Sequence, residues 1–130
     1  MSTKLTKVYM GDISENFDRK EFDCPCQEAC VAPVGISMEL VETLQIARTQ
    51  LGDELFINSG IRCSRHNEAV GGKSTSSHLK GVAVDIRCRE GHTRIAMLKV
   101  LVPLFKRIGV GKTFIHVDVD TSKADSCWVY

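Results

Sequence analysis

Residues 81–87, GVAVDIR, constrain the fold more than any other stretch of this 130-residue chain. Their alternation has the two-residue period of a β-strand with one buried face. Gly81, Ala83 and Asp85 share the other face, and two of these have little or no side chain. Space is therefore left above the sheet in front of the Asp85 carboxylate. A second alternating run, residues 113–119 (TFIHVDV), puts Ile115 and Val117 on one face and Phe114, His116 and Asp118 on the other. Residues 108–110 pair with it around Gly111-Lys112, although Gly-Lys is a weak hairpin dipeptide. Residues 54–58 (ELFIN) form a further short strand.

Two stretches have helical spacing instead. One follows the N-cap residue Ser37, with Met38, Val41, Leu44 and Ala47 or Arg48 in period, and stops at Gly52. The other spans residues 93–105, through Ile95, Met97 or Leu98, Leu101, Val102 and Phe105. Residues 63–69 make a short helix, and residues 70–77 (VGGKSTSS) a loop whose glycines serve backbone geometry. Phe17 and Phe22 pin residues 14–22 to the body of the domain, and a cysteine-rich turn follows, ending near Pro33. Residues 1–16 are polar and read as loose, residues 1–13 most of all. Runs of this order predict an α+β fold, an antiparallel sheet with helices packed on one side.

The length suits a single domain over residues 1–130, large enough for a core of its own. Seventeen basic against sixteen acidic residues give a net charge of +1. That balance argues against a nucleic-acid partner held by bulk charge. The longest apolar stretch, residues 108–119, is too short and polar to enter a membrane. The opening residues lack the apolar centre of a secretory signal. The expectation is a soluble monomer made in the cytoplasm.

Six cysteines occur, at positions 24, 26, 30, 63, 88 and 127. Without a signal segment free thiols are the default. Disulfides remain open, as does a second, structural metal joining residues 24–30 to Cys63 or Cys88.

Of the four histidines, His66 and His92 stand in polar surroundings and read as surface residues. His78 follows the glycine- and serine-rich loop, seven residues before Asp85. His116 sits mid-strand, two residues before Asp118 on the same face. Two imidazoles and one carboxylate are a common catalytic zinc set, with an open position for water. No HExxH helix is present, which excludes a thermolysin-type site. The plainer reading keeps the histidines structural and lets Asp85 cap a turn or pair with Arg62 or Arg87.

The segments Ser59-Gly60-Ile61-Arg62, Asn67 to Gly72, Ser77-His78 through Asp85, and Phe114 to Asp118 together resemble the zinc D-Ala-D-Ala carboxypeptidase-like peptidases (peptidase M15). The likeness runs from about Ser14 to Val119. It looks closest to small phage endolysins and peptidoglycan-trimming peptidases, and the wider group includes the hedgehog signalling domain. The resemblance implies the hedgehog/DD-peptidase fold, with His78, Asp85 and His116 as ligands of one catalytic Zn2+. It implies a peptidoglycan stem peptide as substrate and an enzyme acting on the cell wall, in host lysis or on a virion. Arg62 matches an arginine that faces the substrate carbonyl or carboxylate; the alternative is a surface ion pair. Ser77, with Ser76, is a candidate for substrate contact. Several branches carry a carboxylate base three residues before the last histidine ligand. Thr113 stands there in this chain. Asp118 is the nearest carboxylate on that strand face, either as the base or as a partner orienting a ligand. Trp128 and Tyr130 either pack on the core or line a substrate edge, packing being the simpler reading.

Overall fold

The computed structural model describes residues 11–26 and 34–130. The calls on residues 1–10 and 27–33, including Cys30, lie outside the described residues. The first helix, α1, covers Met38–Leu51. Ser37 caps it, its hydroxyl accepting from Leu40 N at 3.2 Å, and Gly52 closes it. Leu40, Val41, Leu44 and Ala47 are buried along one stripe, while Met38 stays exposed. After β1 (Ile57–Ser59) comes the six-residue α2 (Ser64–Ala69). A 3-10 turn, Ser77–Lys80, leads into β2 (Ala83–Arg87). Helix α3 (Gly91–Leu101) ends before Pro103, earlier than helical spacing alone predicts. Proline has no N–H to give, so the hydrogen-bond ladder stops there although Val102 itself keeps helical angles. Phe105 is buried all the same, from the turn beyond the helix.

Strands β3 (Arg107–Val110), β4 (Phe114–Asp118) and β5 (Ser126–Val129) complete a five-stranded sheet in the order β1-β2-β4-β3-β5. The first four strands pair antiparallel, as the alternation predicts. The fifth strand is an addition to the sequence reading, lying parallel to β3 at the sheet edge.

The pleat divides the sheet cleanly. Val84, Ile86, Ile108, Ile115 and Val117 point into the core, against buried residues of α1 and α3 such as Leu44, Met97 and Leu101. Burying an aliphatic side chain of this size contributes about 1.5–3 kcal/mol. The opposite face carries Asp85, His116, Gly109 and Trp128. Phe17 and Phe22 are buried with ring centroids 5.7 Å apart, as expected. Residues 11–16 correct the expectation of a loose lead-in. The Ser14 hydroxyl donates to Gln45 Oε1 on α1 at 2.7 Å, and Asn16 N donates to the same oxygen at 2.8 Å. No helix among the described residues is long and apolar enough to cross a membrane.

Gly81 is not part of the strand. It closes the 3-10 turn at φ 71°, and a Cβ there would also collide with the Gly35 carbonyl. Its own carbonyl accepts from Ser37 N at 2.8 Å, tying the turn to the start of α1.

Candidate metal centre

Register builds the site. In the antiparallel ladder Asp85 of β2 lies opposite His116 of β4, and His116 lies opposite Gly109 of β3. Directly opposed residues have Cβ atoms about 4.5–5.5 Å apart. His116 Nδ1 consequently sits 2.9 Å from Asp85 Oδ1. The third group comes from the 3-10 turn. Ser76 Oγ accepts from His78 N at 3.2 Å, and His78 Nε2 reaches 3.3 Å from the same Asp85 oxygen.

The ligand atoms of His78, Asp85 and His116 all lie within 4.8 Å of one another. Bonds of roughly 2.0–2.2 Å in a tetrahedron separate ligand atoms by about 3.3–3.6 Å. The observed spacings of 2.9 and 3.3 Å fit a small tetrahedral cation after shifts of a few tenths of an ångström. The proton pattern fits as well. His78 Nδ1 is 2.7 Å from the Gly60 carbonyl, which only accepts, so Nδ1 carries the proton and the neutral ring has a bare Nε2. His116 Nε2 lies 2.8 Å from Asp118 Oδ2, so a neutral ring donating there has Nδ1 bare.

Both carboxylates are held as anions. In the metal-free protein burial alone would raise the Asp85 pKa, but hydrogen bonds from His116 and His78, with protons on the nitrogens that a metal would otherwise take, hold it well below the usual carboxylate range. Asp118 is lowered too, against its burial, by His116, the Asp120 N–H and Arg107. Burial would lower the His116 pKa, and hydrogen bonds to Asp118 and Asp85 more than reverse that and leave it raised.

Arg62 is the ion-pair partner of Asp85 at 3.2 Å, while Arg87 lies over the Phe56 ring instead. The Arg62 fork also donates to Ser59 Oγ at 3.1 Å and Asn67 Oδ1 at 3.2 Å. Its guanidinium thus holds the second oxygen of Asp85 and lines a cavity of about 510 Å³ above His78, Asp85 and His116. Ser77 lines that cavity too, but its hydroxyl is engaged within the protein. It donates to Asp120 Oδ2 at 2.7 Å and accepts from Lys123 Nζ at 3.1 Å.

Asp118 has a fully buried side chain. One oxygen faces His116; the other accepts from Arg107 Nε at 2.8 Å and Asp120 N at 3.1 Å. Thr113 is exposed in the turn before β4 and does not line the cavity. Trp128 and Tyr130 correct the packing expectation, since both form the cavity wall rather than core. The Trp128 ring lies 5.4 Å from His116, with Arg107 stacked 4.9 Å over it. Sequence reasoning passed over Arg107, Asp120 and Lys123. Arg107 begins a strand whose face is the site face, and that alternation was the available signal. His92 is exposed and His66 half-buried, and neither belongs to the three-residue group.

No curated protein matches the chain. A sequence model of the peptidase M15 family matches residues 15–118, a span that contains all three ligand candidates and Arg62. The chain belongs to the peptidase M15 family, whose members are zinc-dependent metallopeptidases.

Proposed function

We propose that this protein hydrolyses a peptide bond in the stem peptide of bacterial peptidoglycan, with one zinc ion held by His78, Asp85 and His116. The observation that supports it most is the convergence of two imidazoles and a carboxylate, from three separate elements, beneath a cavity bordered by a forked arginine. Zinc, when bound, supplies a Lewis acid for the scissile carbonyl and makes water nucleophilic near neutral pH.

The chain's own residues do the rest. Arg62, fixed by Ser59, Asn67 and Asp85, uses three of the five N–H donors of a guanidinium on described residues. In this reading the remaining donors take up negative charge growing on the carbonyl oxygen, since Arg62 borders the cavity. Lys73, Lys123 and Arg107 add positive charge to the cavity border. That suits a substrate with free carboxylates, as stem peptides have. Trp128 and Tyr130 provide an apolar wall for side chains flanking the scissile bond. The same cavity serves a carboxypeptidase removing terminal D-Ala or an endopeptidase cutting within the stem. The setting we infer, from the resemblance to small phage endolysins, is the cell wall during host lysis or on a virion.

Of its two roles Asp118 takes the orienting one in this reading. Each of its oxygens already serves a donor, which leaves it to hold His116 in the ligating tautomer. The cavity border then offers no unengaged carboxylate among the described residues. This favours one alternative, a zinc-binding module that grips the wall without cutting it.

Purified sacculi of several wall types separate the two. The peptidase reading expects new amino groups and a shortened or split stem peptide by mass spectrometry, abolished by chelator and by His78→Ala. Zinc bound stoichiometrically with no product from any wall type would sink it. Co-sedimentation with sacculi would then support the binding module.

A further inference from the structure

A second cluster of metal-binding side chains lies outside the cavity. Phe22 O accepts from Ile61 N at 2.7 Å, which lays the chain after Phe22 along residues 60–63. Three sulfurs meet there. Cys24 and Cys26 come from one strand of this contact, and Cys63, the N-cap of α2, from the other. Their Sγ atoms lie within 4.8 Å of one another, and Cys26 Sγ is 3.6 Å from Cys63 Sγ. In a tetrahedral zinc–thiolate site, bonds of about 2.3 Å place the sulfurs roughly 3.8 Å apart. A disulfide needs about 2.05 Å and uses two sulfurs, leaving the third unexplained. Backbone donors also converge on the sulfurs. Cys63 N points at Cys24 Sγ and His66 N at Cys63 Sγ, each at 3.4 Å. N–H groups aimed at sulfur favour the thiolate, the form that binds metal.

We propose that Cys24, Cys26 and Cys63 bind a second, structural zinc ion. Three thiolates supply three tetrahedral positions, and water or another donor takes the fourth. The ion has no part in the chemistry. It ties residues 22–26 to residues 60–63, and that second segment carries two parts of the peptidase site. Gly60 O fixes the His78 tautomer, and Arg62 holds Asp85. Loss of the ion therefore loosens Arg62 and His78 together. The proposal does not depend on the peptidase reading.

The test uses the full chain, purified without chelator and with thiols kept reduced. Elemental analysis should find two zinc ions per chain. Replacement by Co2+ should give a thiolate-to-metal charge-transfer band that survives His78→Ala, which removes a ligand from the other site. Cys24→Ser and Cys63→Ser should each abolish the band and one equivalent of zinc. If those variants fail to fold, the band in the wild-type chain still decides. A single zinc with no thiolate band overturns the proposal and leaves the histidine site standing. A band with only one metal supports it and counts against the histidine site. A Cys26–Cys63 disulfide that persists through purification under these reducing conditions would also overturn it.

Discussion

Replacing Asp118 by Asn separates positioning from proton transfer, because the change is nearly isosteric and the side chain is fully buried. Asp118 accepts three hydrogen bonds, from His116 Nε2 at 2.8 Å, Arg107 Nε at 2.8 Å and Asp120 N at 3.1 Å. An amide has one acceptor oxygen, so it cannot serve both sides. With two donors on the Arg107 side, the amide oxygen turns there and its NH2 faces His116. A neutral His116 must then accept at Nε2 and carry its proton on Nδ1, the atom directed at Asp85 and the metal position. Losing such an outer partner typically weakens metal affinity about 10–100-fold. That corresponds to roughly 1.4–2.7 kcal/mol. Stability should also fall by about 1.5–3 kcal/mol, the range for a hydrogen bond to a charged group, because the anionic acceptor facing His116 and Arg107 is lost. Competition with a chromophoric chelator measures the zinc affinity, and turnover is followed as zinc is raised. Weakened affinity, with turnover recovering at saturating zinc, is the expected result. Unchanged zinc affinity with turnover lost at every zinc level would refute the reasoning and make Asp118 the proton carrier.

Three further outcomes follow from the geometry. A Cβ on Gly109 would stand 2.5–2.8 Å from three atoms of the Trp128 indole, so Gly109→Ala should displace that ring and cost about 1–3 kcal/mol. The chain has one tryptophan, so an unchanged emission spectrum and Tm would contradict this. Arg62→Lys keeps the charge but loses the fork over Ser59, Asn67 and Asp85, and kcat/KM should drop about 10²–10³-fold with the fold intact. Turnover near wild type would exclude the oxyanion role. For pH, burial would raise the Asp120 pKa, but hydrogen bonds from Ser122, Ser77 and Lys80 depress it. A depressed folded pKa contributes stability above the unfolded value of about 3.9 and loses it as pH falls toward the folded one. His116 in the metal-free protein has the opposite sign. Its raised pKa contributes below about 6.5 and is lost as pH rises through the folded value. Urea midpoints of the metal-free chain should therefore peak between about pH 4 and 6.5, and a midpoint still rising from pH 6.5 to 8 would contradict the His116 part.

Local signals carried the elements that position the candidate ligands. Ser37 and Gly52 bracket α1 because a cap and a left-handed terminator act within one turn of the helix. The alternation in β2 and β4 put Asp85, His116 and Asp118 on one side because a strand's period is two. What stayed hidden depends on partners distant in sequence. Residues 126–129 are mostly exposed and pair in parallel with β3, so they lack the alternation of a half-buried strand. The Ser77 hydroxyl looks available beside His78 until Asp120, 43 positions away, is placed against it. His78 depends in the same way on a carbonyl 18 residues earlier.

The site's wall shows how one small residue can couple such distant segments. Ser59, Asp85, His116, Gly109 and Trp128 form a single row across all five strands. Side chains in such a row all project to one face, so neighbours compete for the space above the sheet. Asp85 and His116 fill it on one side. At Gly109 there is nothing to fill it, and the indole from the edge strand leans across that gap to within 5.4 Å of the His116 ring. Arg107 then stacks on the indole while its Nε holds Asp118. Strand β5 thereby contacts the candidate ligand His116 directly through Trp128 and indirectly through Arg107 and Asp118. Removing the indole by Trp128→Ala should leave the three ligands in place and expose His116 to water. Its pKa should not fall as it does in Asp118→Asn, because burial is the influence that lowers it and both carboxylate hydrogen bonds remain. NMR titration of the His116 ring in the metal-free protein reads this directly, and a larger drop in the Trp128 variant would refute the ordering.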